Sequence, residues 1–340
     1  MDGRREQQQG ENRTPCHAIP GGHESTQIKK ACMSANAPIA DELVLGTAMW
    51  GWTVDKPTAF RLLDAWYAAG QRKVDTATNY PIDRVPEHFR LAEQILAEWI
   101  RANGVEDLQV NIKVGSLNNM HTPDHLLTRS FLLMMLDEYQ FLFGNNLHTF
   151  MVHWDNREDE KEVEDTFRAF GEVVAKGLRP GLSGIRHPEI YASLNDAYEF
   201  DFDIQLKHNV VQSDVERYAR HFSARCFYAY GINAGGLKLE EGYSDQSSIK
   251  ARGADPEKFD SLLNGIRTVI AQANENKNRP ALNAMHQVGL IYAAYHPQMK
   301  GVLVGPSKVH QLESTLDFFR SLRQYDYRDV YEELVKLNQN

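Results

Sequence analysis

Four side chains, spread along the sequence, are of types that together could move a proton. Asp75 and Tyr80 lie in KVDTATNY, Lys113 in NIKVGS and His153 in FMVHWD. Ile112 and Val114 flank Lys113, so its ammonium sits in an apolar run and needs a counter-charge if buried. Asp75, closing the short run Lys73-Val74, supplies one from a neighbouring strand end. An ammonium close to a phenol stabilises phenolate and lowers a tyrosine pKa from its ordinary value of about 10. Tyr80 would then serve as a general acid near neutral pH. A histidine across the pocket can donate a hydrogen bond to a carbonyl oxygen as negative charge develops there. None of the four carries a hydride, so a reduction would require a cofactor. Taken singly each has a blander reading: histidines after apolar runs are mostly satisfied core residues, and loop tyrosines mostly pack.

Something must bring these groups to one place. From residue 43 onward, short β-type runs recur at 43–46, 73–76, 108–114, 148–153, 180–183, 202–206, 225–229 and 301–304. Between them lie helical patterns at 58–69, 87–103, 123–142, 160–176, 187–197, 214–222, 256–296 (as two segments) and 308–323. In the first, Ala59, Leu62, Leu63 and Trp66 fall on one face and Gly70 follows as a stop; in the second, Leu91, Ala92, Ile95, Leu96 and Trp99 repeat the stripe before Gly104. Eight strands alternating with helices predict a single-domain α/β (β/α)8 TIM barrel, whose reactive residues gather at the C-terminal strand ends. An open doubly wound sheet is the alternative. Length and the missing GxGxxG at the first βα turn favour the barrel. The barrel is expected over 41–330, between a disordered polar tail at 1–40, of which 1–38 is expected to be dispensable, and a short C-terminal tail at 331–340. An added loop near 236–256 enlarges the gap between the last two strands.

The chain has 340 residues and a net charge of −9, from 37 Lys+Arg against 46 Asp+Glu, with no dense basic run to recruit nucleic acid or anionic membrane. Its longest apolar runs, such as 131–136, are too short to span a bilayer. The polar N-terminus does not read as a signal peptide, and Met33 is a candidate start. Cys16, Cys32 and Cys226 form no paired framework, which suggests a reducing, cytoplasmic setting. No His, Cys, Asp or Glu spacing predicts a metal site.

The motifs resemble those of the aldo-keto reductases. LVLGTAMWGW is similar to that family's opening strand, VDTATNY to its Asp-Thr-Ala-to-Tyr segment, IKVGS to its lysine strand and MVHWD to its His-Trp strand end. The resemblance spans roughly 43–323 and implies Asp75, Tyr80, Lys113 and His153 as a catalytic tetrad, although Ile112 stands where threonine is common. It also implies a nicotinamide cofactor, NADPH with NADH possible. Gly46 and Thr47 correspond to the first cofactor-facing turn. In GLSGIRHPE, Ser183 matches a contact to the nicotinamide amide, while Gly184 replaces the usual asparagine. DIQLKHNVVQ gives Gln205. In YAYGINAGGL, Tyr230 would stack on the nicotinamide, and Gly231 and Ile232 replace Ser-Pro in the pyrophosphate strap. VLVGPSKVHQLESTL matches the adenosine-phosphate segment through Ser307, Lys308 and Gln311, with Lys308 a cation for a 2′-phosphate at a helix start. Ser314 and Thr315 stand where acidic and amide residues often meet adenine.

The implied activity is NAD(P)H-dependent reduction of an aldehyde or ketone, Tyr80 being the general acid. The partner is thus a small carbonyl or sugar substrate. Alternatives are a sugar or alcohol dehydrogenase running oxidatively, and a cofactor-binding regulatory partner like the potassium-channel beta subunits. Trp50, Trp52, the 80–89 loop, Trp154 and the 236–256 insertion would shape the substrate pocket. Asp155, Asn156 and Arg157 are expected to cap the following helix; Arg186, His187 and His208 are expected in solvated loops, and Arg84 and Arg90 are open to the same reading.

Overall fold

The computed structural model of the chain describes residues 39–223, 226–239, 242–243, 249 and 255–338. The N-terminal segment 1–38, with Cys16, Cys32 and Met33, lies outside these residues, as does most of the stretch 240–254.

The eight β-type runs form strands β1 (Glu42–Gly46), β2 (Lys73–Ala77), β3 (Gln109–Val114), β4 (Leu147–His153), β5 (Arg179–Ser183), β6 (Asp203–Lys207), β7 (Phe227–Tyr230) and β8 (Met299–Val304). Each pairs in parallel with its sequence neighbours, and β1 also pairs with β8, so the sheet closes into the expected barrel. Closure leaves no edge strand with unpaired backbone groups.

Ten helices among the described residues surround it: α1 (Lys56–Ala68), α2 (Leu91–Asn103), α3 (Arg129–Phe143), α4 (Glu160–Ala175), α5 (Pro188–Tyr198), α6 (Val215–Ala219), α7 (Asp260–Ala273), α8 (Met285–Ala294), α9 (Val309–Ser321) and α10 (Arg328–Leu337). The start of α1 shows how local chemistry sets these ends. Asp55 accepts from the Thr58 amide at 2.9 Å, satisfying one of the free N–H groups at the helix start. Ala59, Leu62, Leu63 and Trp66 of that helix are buried, as their spacing requires. Gly104 ends α2 in the left-handed region at φ 61°.

Two boundaries differ from the sequence expectation. Helix α3 begins at Arg129 rather than near 123, because 115–128 is a loop built over the end of β3. Residues 331–340, expected as a tail, fall largely in α10, which buries Val330 and Leu334. Val330 and Leu334 stand four residues apart, on one helical face, and that face packs against α7 and α8.

The N-terminal strand ends carry paired charges. Lys73 Nζ and the Tyr228 hydroxyl donate to Glu42 Oε2, each at 2.6 Å, while Arg179 and Lys300 both reach Asp203 Oδ1 at 3.1 Å. At this face of a (β/α)8 barrel such pairing serves stability. The opposite face holds the cavity.

Candidate active site

Parallel register sets the site. Ala77 lies beside Lys113, His153 beside Ser183 and Ser183 beside Gln205, so residues from β2 to β6 form one ring at the C-terminal strand ends. A cavity of about 820 Å³ opens there, lined by Asp75, Tyr80 and His153 of the expected tetrad. Lys113 sits beneath, ion-paired with Asp75. Both side chains are only 1% exposed, a burial tolerable for opposite charges only when both are paired.

Burial alone would push the Lys113 ammonium down, but Asp75 and Tyr80 beside it outweigh that and hold it above its ordinary value. Its Nζ lies 4.9 Å from the centre of the half-buried Tyr80 ring. The His153 ring stands edge-on to Tyr80 at 6.2 Å. Burial, and then repulsion from Lys113, hold His153 far below the usual histidine range, so its imidazole is neutral. A neutral ring offers an N–H without competing for the transferred proton.

The residues assigned by resemblance to cofactor contact divide into two groups. Gly46, Ser183, Gln205, Tyr230 and Gly231 line the cavity. Thr47 is fully buried beside it: its amide donates to the Asp75 carbonyl at 3.1 Å and its hydroxyl has no partner. Gln205 also turns inward, donating from Nε2 to Asp75 Oδ1 at 2.5 Å. Ser307, Lys308 and Gln311 lie apart from the cavity at the start of α9. There Gln311 Oε1 accepts from both the amide and the hydroxyl of Ser307 at 3.0 Å, and Lys308 is exposed.

The cavity's open ground lies along β7 and beyond. Gly231, at φ 69°, would bring a Cβ into ordinary van der Waals contact 3.8 Å from Asn209 Nδ2, and that same Nδ2 donates to the Gly231 carbonyl at 2.9 Å. Gly305, after β8, has nothing within 4 Å of a Cβ position. Together with the partnerless Thr47 hydroxyl, these features fit an extended nucleotide lying across the strand ends from β1 to β8. Gly184 has a different reason for being glycine. At φ 70°, a Cβ would lie 2.4 Å from Trp154 Cδ1, so the indole occupies the place where another side chain would stand.

Several expectations about neighbouring residues need correction. Asp155 does not cap α4; that cap is Asp159, which accepts from the Lys161 amide at 2.8 Å. Asp155 is instead buried, accepting from Arg157 Nε at 2.9 Å and the Tyr191 hydroxyl at 2.7 Å. His208 is not a solvated loop residue. It is 3% exposed, stacked 4.7 Å from Tyr292, because the loop after β6 folds under α8. Arg90 is tied to Glu93 Oε1 and Glu138 Oε1, both at 2.6 Å. Arg186 is exposed, as expected.

Sequence reading missed the 115–128 loop, assigned partly to a helix. Its residues 121–125 and Ser116 line the cavity. The run Asn118-Asn119 followed by Pro123 was the available signal, since these residues favour turns over a helix interior. Among the described residues, no three His, Cys, Asp or Glu side chains cluster as a metal site, and no helix is long and apolar enough to cross a membrane.

The fold is a (β/α)8 barrel with a cavity at its C-terminal strand ends. Residues 42–334 match the model of the Aldo/keto reductase family, and the chain belongs to that family of nicotinamide-dependent carbonyl oxidoreductases. A 76-residue stretch is also 37% identical to the "Uncharacterized 11.2 kDa protein in crtE 3'region" of Pseudescherichia vulneris, covering 22% of this chain and 74% of that one.

Proposed function

We propose that the protein reduces an aldehyde or ketone with NADPH, Tyr80 delivering the proton. The observation that carries this reading is the buried Lys113–Asp75 pair set against the Tyr80 ring beside a neutral His153. The nicotinamide, when bound, supplies the hydride. This chain's own residues do the rest. Tyr80 donates its hydroxyl proton to the carbonyl oxygen, and the Lys113 ammonium stabilises the phenolate left behind. Asp75 and Gln205 hold that ammonium in place. His153 donates a hydrogen bond that orients the carbonyl and stabilises the charge growing on its oxygen. Gly46, Thr47, Ser183, Tyr230 and Gly231 would hold the nicotinamide end of the nucleotide, and Ser307, Lys308 and Gln311 its adenosine end.

A panel of aldehydes, ketones and sugars assayed with NADPH and NADH, for wild type and Tyr80→Phe, tests the reading. Wild type should reduce at least one reactive carbonyl, and Tyr80→Phe should lose roughly 10²–10⁴ in turnover while binding nucleotide equally well. Equal turnover by the two would remove Tyr80 from the chemistry. Tight nucleotide binding with no reduction across the panel would favour a cofactor-binding partner protein instead.

A further inference from the structure

We infer that Asn119 is a positioning residue that sets Tyr80 against Lys113. The inference rests on the proposed role of Tyr80. Tyr80 lies in the loop after β2 and Lys113 on β3, so something must fix the loop that follows β2 relative to the loop that follows β3. The segment after Tyr80 has little structure of its own: from 81 to 90 it holds a single short 3₁₀ turn at Pro86–His88. Asn119 reaches it from the loop after β3, the strand that carries Lys113. Its Nδ2 lies 2.7 Å from the Val85 carbonyl, 3.1 Å from Asp83 Oδ1 and 3.4 Å from the Pro81 carbonyl. One carboxamide thus spans the chain immediately after Tyr80.

The side of the clamp that bears Asn119 is itself fixed to β3. Leu126 N donates to the Gly115 carbonyl at 2.9 Å and Leu117 N to that of Asp124 at 3.2 Å, and Ser116 bridges to His125. Asn118 Oδ1 accepts from the Met120 amide at 2.8 Å, folding the turn that aims Asn119 inward. A second link joins the same two loops, Arg84 Nε to His121 Nδ1 at 3.2 Å. Asn119 is fully buried, yet its Oδ1 has no partner. A buried oxygen without a hydrogen bond is unfavourable, and an apolar side chain of similar size would avoid it. An amide at this position is therefore explained by its donors. Because a misplacement of about 1 Å in a reacting group can cost on the order of 10²-fold in rate, loosening this clamp should act on the chemical step.

The test compares wild type, Asn119→Leu, Asn119→Ala, Tyr80→Phe and the double variant Tyr80→Phe/Asn119→Leu. Asn119→Leu keeps the volume and removes the donors; Asn119→Ala covers the case in which leucine does not fit. Expected are a fall in kcat of at least about tenfold, an unchanged nucleotide Kd by fluorescence titration, and no further loss when Asn119→Leu is added to Tyr80→Phe. A purely structural role would lower the two single variants independently, and their losses would then multiply. Full turnover in both Asn119 variants, or multiplying losses, overturns the inference while leaving the proposed reaction intact. Tyr80→Phe with wild-type turnover sinks the reaction itself. A readout independent of turnover is the ultraviolet difference titration of Tyr80, taken between each protein and its Tyr80→Phe counterpart. It should shift in Asn119→Leu, and an unshifted titration overturns the inference even where no substrate has been found.

Discussion

Gln205 Nε2 donates to Asp75 Oδ1 at 2.5 Å, linking residues 130 positions apart. With Lys113 on the other oxygen, both oxygens of the carboxylate are engaged inside the barrel. Asp75 therefore has little freedom to follow Lys113 if the ammonium moves, and the lysine is held at a fixed place beside Tyr80. A side chain that resemblance assigns to cofactor contact thus also supports the proposed proton-transfer machinery.

Removing the ammonium tests that machinery. Lys113→Met should lower kcat by roughly 10²–10⁴, because the phenolate loses its nearest positive charge and Asp75 is left buried without its counter-charge. Its loss should not add to that of Tyr80→Phe, since the two groups act as a unit. Steady-state rates of the two single variants and the double variant decide the matter; additive losses would separate Lys113 from Tyr80.

Lys308 is exposed at the start of α9, where a phosphate would meet both backbone donors and a cation. Lys308→Ala should weaken NADPH binding by about fivefold, the equivalent of roughly 1 kcal/mol for one exposed charge pair. NADH binding should barely change. Fluorescence titration with each nucleotide gives the comparison, and equal weakening of both would mean that Lys308 does not distinguish them.

Gly184 should tolerate no side chain. Gly184→Ala places a Cβ against the Trp154 indole and also holds alanine at φ 70°. Overpacking of this kind costs about 1–3 kcal/mol, and the left-handed backbone adds to it. Thermal unfolding should report a lower Tm, and the displaced indole should raise KM for the carbonyl. An unchanged Tm would show that Trp154 yields without strain.

Acid should destabilise the fold through its buried histidines. His148 and His296 are each pushed down to about 4 from an ordinary 6.5, in both cases first by burial. His153 and His208 are shifted in the same direction. Between about pH 6.5 and 4 the unfolded chain binds protons on these rings that the folded chain does not, so stability falls as pH falls through that window. Urea unfolding at pH 7, 6 and 5 should show the decline, and His296→Phe should flatten it. A variant with the slope of wild type would point to other groups.

Much of the fold was legible because its signals are local. Alternating short β-rich runs and amphipathic helices follow from residue periodicity, and β1 to β8 fall within a few residues of where the runs predict them. Asp75, Lys113 and His153 also stood out locally, as polar groups at the ends of apolar strands, and Tyr80 followed by its short distance from Asp75. The site was less legible wherever a loop determined it. Residues 115–128 carry hydrophobic and polar residues that imitate a helix start, and only their closure over β3 shows them as a cavity wall.

By itself, the sequence determined the alternation that builds the barrel and the chemical types that stand at its strand ends. Tertiary structure alone decided which of those groups touch. Gln205 meets Asp75, Asn119 meets the chain after Tyr80, Trp154 fills the space above Gly184, and His208 is buried against Tyr292. The physical reason is shared by all four. Strand and helix formation depend on neighbours a few residues away, whereas a hydrogen bond or a packed ring depends on which distant loops the closed barrel brings within a few ångströms, and no local pattern encodes that proximity.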